Sequence, residues 1–137
     1  MRNKRPHHNV AAGVIWKQGM ILITRRPEGR HLAGLWEFPG GKQEDGESLE
    51  ACLEREIREE LGLRISVDRA IMRVEYSYDH KDISLHVFYC SIIEGIPRGM
   101  ECQDIRWIDP SNLQKFNFPP PDMKVVEFIS TNDNGKY

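Results

Sequence analysis

Residues 41–63 carry the side chains of this chain whose types and spacing are best suited to bind a cation. The stretch reads GKQEDGESLEACLEREIREELGL and includes glutamates at positions 47, 56, 59 and 60 and an arginine at position 55. A ligand set made only of carboxylate oxygens, with no His or Cys ligand, suits a hard divalent cation such as Mg²⁺ or Mn²⁺. The stretch therefore predicts metal-ion chemistry.

A helix must position these acids. Leucine or isoleucine recurs at positions 49, 53, 57 and 61, which is a helical period and marks a buried stripe. Ser48 is a suitable N-cap, and Gly62 stands where a helix end favours a left-handed residue. The sequence predicts a helix over about residues 49–61.

On such a helix, at roughly 100° per residue, Glu56, Glu59 and Glu60 fall along the edge of the apolar stripe. Glu54 and Arg58 point elsewhere and are predicted to be solvated. Acids near a helix C-terminus oppose the helix dipole, and like charges four residues apart repel each other. This cost in stability beside a core face favours a bound cation, and an exposed acidic helix end is the alternative.

The remaining sequence predicts strands around this helix. Short runs rich in apolar, β-branched and aromatic residues predict strands at residues 10–16, 20–24, 70–78, 84–93 and 105–108. A second helical pattern follows three prolines and covers residues 122–129. Helices interleaved with strands predict a single α/β domain over residues 1–137, with the sheet between helices. Residues 1–9 and 131–137 are predicted to be flexible ends.

Composition excludes several classes of protein. The chain has 137 residues, 39% hydrophobic content and a net charge of −2, so neither a membrane span nor affinity for a nucleic-acid polymer is expected. Cys52, Cys90 and Cys102 form no disulfide pattern, which favours a reducing cytoplasm. His7 and His8 are capable of binding metal, but a solvated arm is the preferred interpretation.

The spacing of residues 41–63 resembles the signature of the Nudix hydrolase family. That signature is Gly, five residues, Glu, seven residues, Arg-Glu, an aliphatic, any residue, Glu-Glu, any residue, Gly and an aliphatic. The resemblance implies a Nudix-type α/β/α sandwich with a mixed sheet, and an enzyme that cleaves nucleoside diphosphates linked to another group. The flanking runs WEFPGGK (residues 36–42) and FPPPD (118–122) resemble the MutT branch, which acts on nucleoside triphosphates.

The resemblance also implies roles for individual residues. It assigns Mg²⁺, with Mn²⁺ as a substitute, to the following ligands: the Gly41 carbonyl and the side chains of Glu56, Glu59, Glu60 and Glu101. Glu101 matches less closely, and an exposed loop acid is the alternative there. Glu47 and Arg55 match a pair that braces the loop against the helix, which would orient the ligands.

Further residues match substrate contacts of MutT-like proteins. Arg26, rather than Arg25, would hold phosphate oxygens, and the alternative is a solvated strand end. Lys42 would touch the leaving phosphates or be an ordinary loop lysine. Phe38 and Tyr78 would flank the base, although aromatic residues of a strand-rich protein are more often core.

Asp122 stands where the MutT enzyme that removes 8-oxoguanine nucleotides has Asn. An Asn side chain both donates and accepts hydrogen bonds, whereas an ionised Asp only accepts them. An ionised carboxylate would suit the amino group of cytosine or the N–H groups of guanine, and it would repel O6 unless protonated. The alternative for Asp122 is an N-cap of the last helix.

Three classes of function follow. The first is a pyrophosphohydrolase of nucleoside triphosphates, either 8-oxo-dGTP or CTP and dCTP, acting as a monomer or homodimer on a small nucleotide. The second is a Nudix enzyme for another nucleoside diphosphate derivative, such as a dinucleotide, a nucleotide sugar or the 5′ end of RNA. The third is a binding module without turnover, and the intact signature argues against it.

Overall fold

The structure, a computed structural model, describes residues 5–100 and 104–132. Within these ranges the strands are β1 (His7–Lys17), β2 (Met20–Arg25), β3 (Trp36–Glu37), β4 (Gly40–Lys42), β5 (Arg64–Ser77), β6 (Asp82–Glu94) and β7 (Asp104–Ile108). The helices are α1 (Leu49–Leu61), a short 3-10 helix (Pro110–Lys115) and α2 (Pro120–Asn132). None of these helices is long and apolar enough to cross a membrane.

The strands form one mixed sheet in the order β3-β2-β1-β6-β5, with β4 added to β1 and β7 added to β2. β1 and β6 run parallel, whereas the other pairs are antiparallel. β2 pairs with the end of β1, at Trp16 and Lys17, and β4 pairs with residues 10–12. The short strand β4 is thereby aligned beside the start of β1, and Gly41 lies opposite Ala11.

The two α-helices cover opposite faces of this sheet. The core on the α1 face buries Leu53, Ile57 and Leu61 together with Ile15 and Phe88. The core on the other face includes residues of α2 and of the central strands: Val125, Val126, Ile129, Val87 and Tyr89. The predicted α/β/α sandwich with a mixed sheet is confirmed.

The start of β1 corrects one prediction. Residues 7–9 belong to β1, where His7 pairs with Asp82 and His8 with Ile83 in the parallel ladder with β6. The Nε2 atom of His7 also lies 2.9 Å from the Oγ atom of Ser84. The prediction of a flexible arm is therefore wrong for residues 7–9, because the distant strand β6 supplies their hydrogen-bond partners. His7 is exposed to solvent, as predicted, whereas His8 is partly buried.

Two other boundaries also differ from the predictions. β5 begins at Arg64 rather than at residue 70, because Ile65 and Val67 pack into the core under α1. α2 begins at Pro120 and ends at Asn132, so the predicted flexible tail does not start at residue 131. Asp122 lies inside the first turn of α2. Its alternative role as an N-cap is therefore wrong.

Candidate active site

A pocket of about 360 Å³ opens where β1, β4, α1 and the start of α2 meet. The sequence predicts two groups among the residues of this pocket, those for metal and phosphates and those for the base. Candidate metal and phosphate residues and candidate nucleoside contacts line this one pocket. The predicted site residues that line it are Gly41, Lys42, Glu56, Glu60, Arg26, Phe38, Tyr78 and Asp122.

Helix α1 begins and ends as its sequence predicts. The Oγ atom of Ser48 accepts a hydrogen bond from Ala51 N at 3.0 Å, which caps the first turn. Gly62 has a φ of 68° and donates its N–H to the Arg58 carbonyl at 2.9 Å. Glu54 and Arg58 are exposed, as expected. Both ends of the helix that carries the acids are therefore set by local sequence.

The carboxylate of Glu56 lies directly against Gly41. A Cβ atom at residue 41 would stand 2.3 Å from Cδ of Glu56, which is too close for any other residue without movement of that carboxylate. The preceding residue, Gly40, is restricted by the backbone, since a Cβ there would lie 1.9 Å from the Ala11 carbonyl oxygen. The two glycines thus allow β4 to pass close to both β1 and the acid of α1.

Arg55 is the centre of an ionic network on α1. Its Nε donates to one oxygen of Glu47 at 3.1 Å and its Nη2 to the other at 2.7 Å, a two-pronged pair. Its Nη1 donates to Glu56 at 2.9 Å and to Glu59 at 3.3 Å. Its Nη2 also reaches the Lys42 carbonyl at 3.2 Å. The predicted brace between Glu47 and Arg55 is present in the structure.

This network sets the charges of its members. Hydrogen bonds from Arg55, and then from the Glu44 N–H, lower the pKa of Glu47 to about 2. The same pairing with Glu47 raises the pKa of Arg55. Burial, and then the charge of Glu47, raises the pKa of the neighbouring Cys52 thiol to about 11. The ion pair is therefore fully charged at neutral pH, and the thiol beside it is protonated.

The oxygen atoms of the candidate ligands that the structure describes suit a hard cation, but they do not point to one common position. Glu56 and Glu60 line the pocket with Gly41, and all of their donor atoms are oxygen. Glu59 is outside the pocket lining and contacts Arg55. Over residues 5–100 and 104–132, no three side chains of His, Cys, Asp or Glu lie close enough together to hold an ion. Direct use of Glu59 as a ligand would require its side chain to turn from Arg55 toward the pocket.

Glu101 lies outside the described residues. The loop that leads to it is attached to the end of α1, since Arg98 N donates to the Leu61 carbonyl and Met100 N to the Glu60 carbonyl, each at 2.9 Å. These bonds satisfy carbonyl groups that a helix leaves unpaired in its last turn. The residue before Glu101 is therefore bonded to the backbone of a candidate metal ligand.

Phe38 and Asp122 are neighbouring residues of the pocket lining. Phe38 is buried and stacks on Phe118, with ring centroids 5.3 Å apart. The N–H of Phe38 donates to Oδ2 of Asp122 at 3.3 Å. Phe38 thus belongs to the core and also lines the pocket, so its two predicted roles are compatible.

Asp122 differs electrostatically from the ionised carboxylate considered in the sequence analysis. Burial, and then the nearby charge of Glu37, raises its pKa to about 8. Burial also raises the pKa of Glu37, against the opposing effect of Arg26, whose Nη1 lies 2.9 Å from it. At neutral pH Asp122 is therefore mainly protonated, and its carboxyl group is able to donate as well as accept a hydrogen bond.

Arg25, the last residue of β2, and Arg26, which follows it, are both hydrogen-bonded within the protein. Arg26 donates its Nε to the His31 carbonyl at 2.8 Å and pairs with Glu37, while its side chain lines the pocket. Arg25 donates its Nε to the Gly34 carbonyl at 3.1 Å. Both residues brace the loop that follows β2. The expectation of a solvated strand end is wrong for Arg26.

Sequence reasoning missed several residues that line the pocket. Glu37, His31 and Lys81 stand on three different segments, and the fold brings them together. A signal existed for Glu37, an acid between two aromatic residues of a predicted family motif. His31 and Lys81 lie in polar loops whose sequences do not indicate proximity to a pocket.

Comparisons with known proteins find a family and relatives that match most of the chain. Residues 11–128 match the family described as NUDIX domain. The "8-oxo-dGTP diphosphatase" of Buchnera aphidicola subsp. Schizaphis graminum is 36% identical over 118 residues, 86% of this chain and 89% of that protein. The "CTP pyrophosphohydrolase" of Escherichia coli K12 is 34% identical over 118 residues, 86% of this chain and 87% of that protein.

A solved structure extends this similarity to the fold. The solution structure of the mismatch repair protein MutT from methicillin-resistant Staphylococcus aureus 252 is 33% identical, with a TM-score of 0.77. The similarity covers 93% of this chain and 98% of that one. The signature on α1, the pocket beside it and these relatives agree, and the chain belongs to the Nudix hydrolase family.

Proposed function

We propose that this Nudix hydrolase is a MutT-type nucleoside triphosphate pyrophosphohydrolase, which forms a nucleoside monophosphate and pyrophosphate. The observation that carries the proposal is the shared pocket, whose lining includes both Glu56 and Glu60 and the pair Phe38 and Asp122. A nucleotide has the same division, since its phosphates need cations and its base needs an apolar wall with a few polar groups.

Nudix hydrolases generally use a divalent metal ion, and we propose Mg²⁺ for this one. The Gly41 carbonyl and the carboxylates of Glu56, Glu59, Glu60 and Glu101 would hold it. The bound ion would neutralise the triphosphate and acidify the attacking water.

The chain's own groups would orient the substrate around that chemistry. Lys42 also lines the pocket, and its ammonium would contact the leaving phosphates. The charged pair of Arg55 and Glu47 would hold the loop after β4 on α1. In the reaction, water oxygen bonds to the β-phosphorus while the bond to the α–β bridging oxygen breaks. The bridging oxygen then leaves with the monophosphate.

For the base, 8-oxoguanine is the preferred candidate. A protonated Asp122 presents a donor and an acceptor, the combination that Asn offers in the MutT enzyme and that one purine edge requires. The relative named 8-oxo-dGTP diphosphatase supports the same substrate. The alternative is CTP or dCTP, supported by the relative named CTP pyrophosphohydrolase and by an ionised Asp122 accepting from the cytosine amino group.

The cysteines and the net charge indicate the setting in which the enzyme acts. Cys52 and Cys90 are buried free thiols, which agrees with a reducing cytoplasm. The net charge of −2 argues against a nucleic-acid polymer as partner. We propose a cytoplasmic monomer or homodimer that acts on small nucleotides.

The test is a panel of 8-oxo-dGTP, dGTP, dCTP and CTP with Mg²⁺, in ¹⁸O-labelled water. We expect pyrophosphate as the early product, with the label in pyrophosphate. Label in the monophosphate would place the attack at the α-phosphorus instead. Inorganic phosphate as the sole early product would contradict the proposed reaction altogether.

A further inference from the structure

The loop between β2 and β3, residues 26–35, is held together as a unit by its own hydrogen bonds. Arg26 N donates to the Leu35 carbonyl at 2.9 Å, and Gly34 N donates to the Arg26 carbonyl at 3.1 Å. The side chain of Arg26 adds a bond to the His31 carbonyl at 2.8 Å. Leu32 has a φ of 63°, unusual for a bulky residue and maintained only because the loop is closed on itself.

This 26–35 loop forms one wall of the nucleotide pocket. Pro27, Arg30, His31 and Leu32 all line the cavity. The position of this loop therefore affects the width of the pocket that also contains Phe38, Tyr78 and Asp122. A loop bonded mainly to itself can move as a rigid body when its contacts to the rest of the protein are broken.

Three aromatic rings, termed here the clasp, connect this loop to the turn between β5 and β6. The His31 ring stands 5.1 Å from that of Tyr78, with an interplanar angle of 81°, and 5.2 Å from that of His80, at 87°. Such edge-to-face pairs contribute stability beyond buried area. Tyr78 also lines the pocket, so the clasp joins two of its walls.

Positive charge surrounds the clasp. Lys81 Nζ lies 5.8 Å from the centre of the Tyr78 ring. Burial, and then Lys81, His80 and Arg26, lowers the pKa of His31. His31 is therefore neutral at pH 7, and a proton on its ring would be repelled by these groups. Because the contact disfavours the charged ring, the clasp is weakened as the pH falls below the ordinary histidine pKa of 6.5.

We propose that His31 is a positioning residue, whose ring holds the 26–35 loop against Tyr78 and His80 and so keeps the pocket at the width that receives a nucleoside. The ligand class rests on the proposed function. Closure of the loop does not, and it can be measured without any nucleotide.

Limited digestion with trypsin measures closure, because the bond between Arg30 and His31 lies in the loop. Its cleavage rate is divided by that after Lys17 in the β1–β2 turn, which corrects for the activity of trypsin at each pH. We expect His80→Ala and Tyr78→Leu, which leave the scissile bond unchanged, to raise this ratio several-fold at pH 8. Wild type at pH 6 should show a similar rise, and the exposed loop variant Glu28→Gln should match wild type at both pH values.

Two further variants separate the ring from its charge. His31→Phe keeps an aromatic edge without a titrating group, so its ratio should be low at pH 8 and should not rise at pH 6. In His31→Ala the loop should be open, and the cleavage ratio high, at both pH values. A synthetic peptide of residues 24–36 with each substitution corrects for the effect of residue 31 on trypsin. Equal ratios for wild type, His31→Ala and His80→Ala, or a wild-type ratio independent of pH, would overturn the proposal.

Kinetics provide the second measurement. We expect His31→Ala to raise KM about 3- to 10-fold, the range that one aromatic pair supports, with kcat nearly unchanged because the acids of α1 are untouched. His31→Phe should restore KM. A loss confined to kcat would contradict a positioning role. If wild type hydrolyses no nucleotide, the proposed function fails, and the trypsin ratios still decide whether the clasp exists.

Discussion

At the scale of single residues, Glu56 and Glu54 are the same residue type on the same helix but have different surroundings. Glu56 is half-buried, it lies against Gly41 and it shares Arg55 with Glu47 and Glu59. A carboxylate in this position is compensated from one side by Arg55 and faces the pocket on the other. Its neighbour Glu54, on the same helix, is exposed. The two residues therefore form a matched pair for experiment.

We expect Glu56→Gln to lower kcat by on the order of 10³, because the change removes a charged ligand from a reaction that depends on charge neutralisation. The amide has nearly the same shape as the carboxylate, so the melting temperature should change little. Steady-state kinetics with saturating Mg²⁺ make the comparison, and Glu54→Gln is the control expected to resemble wild type. Near-normal turnover by a folded Glu56→Gln protein would refute the metal assignment.

Asp122 predicts a pH dependence. Its pKa of about 8 means that the protonated form, which can donate, is lost as the pH rises through that value. We expect kcat/KM for 8-oxo-dGTP to fall above about pH 8 in wild type. The fall should be absent in Asp122→Asn, which keeps a donor at every pH. Identical pH profiles for the two proteins would mean that this carboxyl group does not read the base.

The same residue predicts base selectivity. Asp122→Ala should lower kcat/KM for the best nucleotide by roughly 30- to 150-fold, since it leaves a buried polar partner unpaired. It should also flatten discrimination within the panel of four triphosphates. The contrary result would be a lower melting temperature with unchanged ratios among the bases, which would make Asp122 structural.

At the scale of elements, the register of β4 against β1 brings two adjacent glycines into close contact with β1 and with α1. Gly40 faces the Ala11 carbonyl, and Gly41 faces the carboxylate of Glu56. Adjacent residues of one strand therefore meet different constraints, one from the fold and the other from the site.

Alanine substitutions should separate these two constraints. We expect Gly40→Ala to lower the melting temperature strongly, because its Cβ would overlap backbone that cannot move without disrupting the β1–β4 pairing. Gly41→Ala should cost less stability and more activity, because it displaces the side chain of Glu56. Thermal denaturation and kcat, measured on both variants, test this. Equal losses of stability would show that the carboxylate is as immovable as the backbone.

At the scale of the whole molecule, the metal site proposed on α1 would couple cation binding to folding. A cation that binds only the native state stabilises it by mass action. We expect Mg²⁺ to raise the melting temperature of wild type and EDTA to reverse the rise. Glu56→Gln should show a smaller shift, and Glu54→Gln should behave as wild type. A shift of equal size in all three proteins would indicate non-specific binding.

The bounds of α1 and the family signature depend on residues that are close to one another in the sequence. The period of leucines and isoleucines, the Ser48 cap and the left-handed Gly62 define α1, because each acts within a few residues. The spacing of acids on α1 identifies the family for the same reason. Both helices and the strand-rich remainder were predictable, although strand ends were not, since strands such as the start of β1 depend on distant partners.

Only the tertiary structure decided how these parts act on one another. The proton on Asp122 depends on burial beside Glu37, and the bonds of Arg26 depend on how the 26–35 loop closes. The contact between His31 and Tyr78 joins segments far apart in the chain. Burial, dielectric environment and long-range packing arise when the chain is compact, so residue type and spacing do not encode them directly. The sequence therefore determined the family and the candidate catalytic helix, whereas the fold decided the shape and charge of the pocket beside it.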